Sequence, residues 1–330
     1  MAINITPTTI QVGNFKFRET DTGIEFTGQA NTAGFVGGHQ AQGSVSGYAS
    51  GGSSPAPADV NNIDKFPFSV DSNSSDIGDL SQARRIPAGQ SSRNHGYNSG
   101  GYGPNEVNTI DKFPFAVDTN ATDVGDLSVI RGAACGQSSR TDGYTSNGKS
   151  PPSSPTTVKF IDKFPFAVDT NATNIGDTTR TITQSAGQSS TTNGYTAGGG
   201  TSNVIDKFPF AVDASSTDVG DLTQGRSGPS GQSSETHGYT SGGYVPGYSN
   251  VIDKFSFSVD INATDVGDLN RASFTSAGHS SIQSGYISGG DTSPGGFMVD
   301  IQKYPFASDN NALDVGDLTL ARERVTGQQV

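Results

Sequence analysis

Apolar and polar positions alternate over short runs in this chain, and the runs are cut by Gly, Pro, Asn, Asp and Ser; no apolar stripe follows a helical period. The clearest run is IDKFPFAVDTNATDVGDL, residues 110–127. Successive side chains of a strand point to opposite faces, so Phe113 and Phe115 share one face and Pro114 takes the other. Proline inside a central strand removes a ladder hydrogen bond, so this strand is expected near a sheet edge, or with Pro114 at a non-bonding position. The run recurs from Ile63, Ile161, Ile205, Ile252 and Ile301. Its lysines, Lys65, Lys112, Lys163, Lys207, Lys254 and Lys303, are 47, 51, 44, 47 and 49 residues apart. Each unit also holds a GYxSGG-like segment (GYNSGG at 96–101), a variable Pro/Ser/Gly-rich loop, and, after an Arg-bearing connector, a GQSS segment such as 136–139. That makes four short β segments per unit.

Four-stranded units of this length are what a β-propeller uses for one blade. The expected fold is therefore all-β, a six-bladed β-propeller over residues 42–330. The chain ends in VTGQQV, residues 325–330, which matches the start of another GQSS strand. Paired into the first blade, it would close the ring and hide the edges that an open stack exposes. Residues 1–41 stand outside the period as an N-terminal β-hairpin and anchor segment. GNFKFRETDTGIEFTG (13–28) predicts a hairpin, with Phe15 and Phe17 on one strand, Ile24 and Phe26 on the other, and Asp21-Thr22-Gly23 as the turn. GQANTAGFVGG (28–38) is a degenerate echo of the repeat.

The paired glycines after an aromatic strand (Tyr239, Gly242, Gly243), the strand Ile205–Phe210, and Leu222 and Arg226 before the next unit resemble the kelch family of propellers. The chain departs from kelch in having no Trp, with DVGDL in place of the tryptophan-containing strand. The near-identity of the six copies and the GNFKF…GIEF hairpin also resemble virion appendage proteins of tailed phages, marine cyanophages in particular. This second resemblance implies a non-enzymatic virion structural protein: a tail-fibre or capsid-appendage propeller for host attachment or particle decoration. The expected location is the phage particle. The implied partners are other virion proteins through the N-terminal segment, and a host surface glycan or receptor; a homo-oligomer is compatible with the pattern. The alternative is a carbohydrate-binding, lectin-like protein or a kelch-type carbohydrate-acting enzyme.

Composition narrows the picture. A net charge of −12 gives no clustered basic surface for nucleic acid. No apolar run approaches a membrane span, so no membrane insertion is expected. The N-terminus has neither a basic nor an apolar signal region, so no signal peptide is expected. The single cysteine, Cys135, rules out an intrachain disulfide and suits a small buried apolar position.

Candidate chemistry is repeated rather than singular. Each unit carries an Asp-Lys pair (Asp111, Lys112), two acids in DVGDL (Asp123, Asp126) and an arginine after it (Arg131); the fifth unit offers Asp253, Lys254, Asp265, Asp268 and Arg271. Repetition in every unit favours a structural ring of ion pairs between blades over a ligand-binding channel. Its candidates are the six lysines with Asp126, Arg131, Asp268 and Arg271. The candidate inter-blade core is Phe66, Phe68, Phe113, Phe115, Phe164, Phe166, Phe208, Phe210, Phe255, Phe257, Tyr304 and Phe306. The string 118–126 gathers oxygen ligands that could take Ca2+, but it lacks EF-hand spacing and the same residues make Asx turns. No other cofactor is indicated. The histidines His39, His95, His237 and His279 fall at three different repeat offsets, which does not suggest a shared metal site. No catalytic residue stands apart from the repeat. Recognition is expected in loops that differ most between copies: 53–60, 149–157 and 244–250.

Overall fold

Six antiparallel four-stranded sheets radiate from one axis and close into a β-propeller. The computed structural model describes residues 9–12, 15–20, 23–27, 42–55, 58–103, 107–150 and 157–330. The chain divides into two compact units, Met1–Gly38 and His39–Val330. In the first, Phe15–Thr20 pairs with Gly23–Thr27, placing Phe17 opposite Phe26. A further strand, Thr9–Val12, which the sequence reading did not anticipate, adds to the other edge. Residues 21–22 of the expected turn and the echo at 28–38 lie outside the described residues, as does His39.

From the axis outward, the second blade consists of Ala88–Ser91, His95–Ser99, Thr109–Pro114 and Thr122–Asp126. The GQSS segment that ends one sequence unit is thus the innermost strand of the next blade. The first blade completes itself from both ends of the ring: Thr326–Gln329 is its inner strand, pairing with Ser46–Ser50, and Asn62–Pro67 and Ser75–Asp79 follow outward. This is the closure that the terminal VTGQQV predicts.

The inner strands meet too closely for side chains. A Cβ added at Gly136 would lie 2.0 Å from the Gly89 carbonyl oxygen, and one at Gly187 would lie 2.2 Å from that of Gly136. Glycine is therefore required by the approach of backbones around the axis. The neighbouring residues knit the same strands together. The amides of Ser91, Ser138, Ser189 and Ser233 each donate to the serine Oγ of the next blade, and the Gln329 amide donates to Ser91.

Of the two places expected for the proline of the third strand, the structure has the non-bonding one rather than the sheet edge. The strand is internal, with partners on both sides, but the outer strand stops at Lys112–Thr122 and Pro114 lies beyond it. The Phe115 amide donates to Asn94 on the inner side. By strand alternation, the missing donor of Pro114 faces the side where the outer strand has ended, so no ladder bond is lost.

Between blades, the second-strand tyrosine of one blade packs on the third-strand aromatic pair of the next. Tyr48 lies on Phe113 and Phe115, Tyr97 on Phe164 and Phe166, and Tyr144 on Phe208 and Phe210. Tyr195 lies on Phe255 and Phe257, Tyr239 on Tyr304 and Phe306, and Tyr286 on Phe66 and Phe68. The first ring of each pair also covers the glycine of GY: a Cβ at Gly96 would fall 2.3 Å from the Phe113 ring. Phe113 is fully buried in a cluster with Tyr48 and Ile63 of the first blade. Phe113→Ala should therefore cost about 3–5 kcal/mol. Urea unfolding measures it, and an unchanged midpoint would remove the inter-blade packing from the account.

Candidate functional site

The two ends of the ring are built differently. One end carries the turns between inner and second strands and those between third and outer strands. All six of the latter span seven residues, as in 115–121. The other end carries the eight-residue linkers between blades, such as 127–134, and the loops between second and third strands. Those loops span 11, 9, 13, 6, 9 and 11 residues, so all the variation in the sequence period is absorbed at this end.

At the turn end, the six lysines bridge neighbouring blades. Lys65 pairs with Asp118 at 3.0 Å, Lys112 with Asp169 at 2.6 Å and Lys207 with Asp260 at 2.6 Å. Lys163 pairs with Asp213, Lys254 with Asp309 and, across the closure, Lys303 with Asp71. The acid is the one in the VDxN-type turn, not one from DVGDL. Among the described residues Asp126 and Asp268 form no ion pair; what each contributes is its amide, which donates to Asn171 or Asn311 of the next blade. The oxygen donors weighed for Ca2+ disperse accordingly: Asp118 goes to Lys65, Asn120 to the Asp79 amide, and Asp123 to the amide of its own Gly125. No group of three or more His, Cys, Asp or Glu converges among the described residues.

A second, fully buried set of charges occupies the seams. The linker arginines Arg84, Arg131, Arg226 and Arg322 pair with Asp111, Asp162, Asp253 and Asp64 of the following blade. Each of these aspartates also accepts from a Ser or Thr at the end of the preceding outer strand, as Asp162 does from Ser128. Burial pushes the Arg131, Arg226 and Arg322 pKa values down, and the carboxylate opposes it. Two seams break the pattern. Arg271 is not the counterpart of Arg131: Ser273 is, and Arg271 makes a partly exposed pair with Asp300. There the buried aspartate is replaced by Gln302, which exchanges hydrogen bonds with the Arg271 backbone. At the seam between the third and fourth blades, Ile182 takes the arginine position while Asp206 remains, fully buried and held by Thr179. Burial raises the Asp206 pKa.

The channel along the axis is narrow. A cavity of about 120 Å³ opens at the loop end and one of about 60 Å³ at the turn end. At the loop end the linkers close a ring of backbone hydrogen bonds. Ile86 donates to Arg324, Ala133 to Ile86, Gln184 to Ala133, Gly228 to Gln184, Thr275 to Gly228, and Arg324 to Thr275. Cys135 is buried beside this cavity, its thiol pushed up to about 11 by burial.

The loop end is also where regularity breaks. Tyr244–Val245 pairs with Gly247–Tyr248, and Asp291–Thr292 with Gly296–Phe297, forming two small hairpins found in no other blade among the described residues. Tyr244, Tyr248 and Phe274 lie edge to face, and the Tyr248 hydroxyl donates to Asp291 at 2.6 Å. The sequence reading singled out 244–250 but missed Phe274 and Asp291, because no short-range signal joins a linker to two loops. Of the loops expected to vary, residues 56–57 and 151–156 lie outside the described residues.

No protein-family model and no curated protein sequence matches the chain. Among solved structures, that of YjhT, a propeller, is similar with a TM-score of 0.65 at 12% identity, covering 77% of this chain and 91% of that one. The likeness shows the fold.

Two tests follow from the seams. Asp162→Asn leaves Arg131 buried without its counter-charge and should cost about 3–5 kcal/mol. Asp206 makes no direct ion pair among the described residues and feels only a longer-range attraction from Arg180, and burial raises its pKa, so the ionised form weakens the fold: stability from its protonated form is lost as pH rises through the folded pKa. Asp206→Asn should therefore hold or raise the melting temperature at pH 7; a loss matching that of Asp162→Asn would overturn this account. His279, which stands where five blades have Gln, is buried, donates from Nδ1 to the Gln328 carbonyl and has its pKa lowered to about 4 by burial. Its contribution is intact above the unfolded value of 6.5 and lost as pH falls toward 4. His279→Gln should make the ring more resistant to acid by about 2–3 kcal/mol at pH 4, read from denaturation midpoints at pH 7 and pH 4.

Proposed function

We propose that this chain is a non-enzymatic display protein, the kelch-like propeller of a virion appendage, which presents its loop end to a surface. The observation that carries this reading is the confinement of length variation to the loops between second and third strands, over a ring whose other connections keep one length. A rigid scaffold with divergent loops at one end is how a binding protein varies its target without risking its fold. The virion setting rests on the resemblance of the repeat and of the N-terminal hairpin. A lectin-like reading is favoured by the exposed Tyr244 and the half-buried Tyr248 and Phe274 beside Asp291, since an accessible aromatic cluster next to a hydrogen-bond acceptor suits sugar rings.

Cryo-electron microscopy of the particle encoded with this chain should show the ring outside the capsid or tail shell; purified particles lacking the chain overturn the virion reading. On a glycan array, binding by the full chain that falls at least about tenfold in Tyr244→Ala/Tyr248→Ala, with the melting temperature kept, supports recognition at the loop end. Saccharide turnover by the purified chain would replace this reading with an enzymatic one.

A further inference from the structure

We infer that the turn end of the ring is a self-association face, on which a second copy of this chain docks end to end. Of the eleven large apolar side chains that stand exposed among the described residues, all but Ile130 and Tyr244 lie at this end. Five occupy one repeat position: Val70, Val117, Val168, Val212 and Val259, each between 54% and 63% exposed. They form an annulus of turns, and Val45 and Ile282 add to it nearer the axis. Single exposed apolar residues need no explanation, but a ring of them on one face of a chain otherwise rich in Ser, Gly and Asp does. These valines do not stabilise their own blade by burial, so packing within the ring does not account for them.

The occupant follows from charge and symmetry. Two chains of net charge −12 repel over most of their surface. Beside the valines, however, each of the six turn acids is paired with a lysine of the preceding blade, so the turns themselves carry no net charge and the unpaired acids stand outside them at the start of the outer strands. The annulus is also self-complementary. A ring of six near-equivalent units, turned over about an axis in its plane, presents valine to valine and Lys–Asp pair to Lys–Asp pair, as a two-fold interface needs. The loop end is not self-complementary in this way, because its loops differ in length from blade to blade. This inference is independent of the virion reading and survives its failure.

Sedimentation equilibrium of the full chain from about 1 to 200 μM tests it. The expected result is a reversible monomer–dimer equilibrium. The triple variant Val117→Ser, Val168→Ser, Val212→Ser should weaken it by on the order of 100-fold or more. Serine already stands at the equivalent position 308, so the melting temperature should be unchanged. Ile130→Ser, exposed at the other end, should leave the equilibrium as it was. Because the contact is apolar and the outer-strand acids at the rim repel, raising the salt should tighten the dimer. A chain monomeric throughout this range, a dimer indifferent to the triple variant, or one that loosens with salt would each overturn the proposal.

Discussion

Six inner strands must meet around an axis too narrow for any side chain between them, and the rest of the ring follows from that approach. The glycine of GQSS is the only residue whose backbone fits there: at every inner strand an added Cβ would come within 2.4 Å of the preceding strand's glycine carbonyl. Such close packing makes closure all or none. If Thr326–Gln329 left the first blade, one edge of Ser46–Ser50 would lose its partner and the axis would lose one of its six walls. The ring thus gains a cooperativity that a linear stack of the same units, held only by nearest neighbours, would lack.

Around that axis, the seams show how a repeated structure tolerates departures from its own rule. The buried arginine and aspartate are kept or lost according to what each leaves behind. Where Ser273 replaces the arginine, Gln302 replaces the aspartate, and a neutral amide satisfies the backbone instead. Where Ile182 replaces it, Asp206 stays, hydrogen-bonded by Thr179 and attracted by Arg180 but not paired with it directly. Desolvation makes the second arrangement the costlier one, since burial of the carboxylate outweighs what the Thr179 bonds and the Arg180 attraction return. The third-to-fourth seam is therefore held by aromatic packing and hydroxyl bonds, without a direct buried ion pair among the described residues. The Tyr144, Phe208 and Phe210 stack still crosses it.

The sequence made the architecture legible because repetition multiplies a weak signal: one IDKFPF run is ambiguous, whereas six in register with a terminal half-repeat imply a closed ring. The same repetition obscured the partners. From one copy, Lys112 has Asp111, Asp123 and Asp126 within reach, but its partner is Asp169 of the next copy, 57 residues along. The glycines of GY and GQSS are sites of close approach that no single copy reveals, because what crowds them is a ring or carbonyl distant in sequence. Arg271 misled for a simpler reason: it stands two residues nearer Leu269 than Arg131's spacing from Leu127 requires, so it cannot enter the seam pocket that Arg131 fills. The loop-end cluster was the least legible part, since Tyr248, Phe274 and Asp291 come together only through the pairing of a linker with a hairpin.

The difference between the ends has a mechanical origin. Several residues of a third-to-outer turn answer to the adjacent blade: Asp118 takes Lys65, Asn120 accepts from the Asp79 amide, and the Thr170 carbonyl packs where a Cβ on Gly125 would stand. An insertion there would displace contacts on two blades at once, so all six turns keep one length. A loop between second and third strands has fewer obligations. Gly101 and Val107 sit at the two roots of such a loop, and the linker carbonyls of Arg84 and Arg131 and the ring of linker amides are already satisfied close to the axis. Apart from such anchors as Tyr102, which exchanges backbone hydrogen bonds with Arg85, added length at this end costs only slowly growing closure entropy. Loops of 6 and 13 residues are thus carried by the same scaffold. A propeller built this way separates its constraints in space, with neighbour-to-neighbour contacts fixed at one end and freedom to change left at the other.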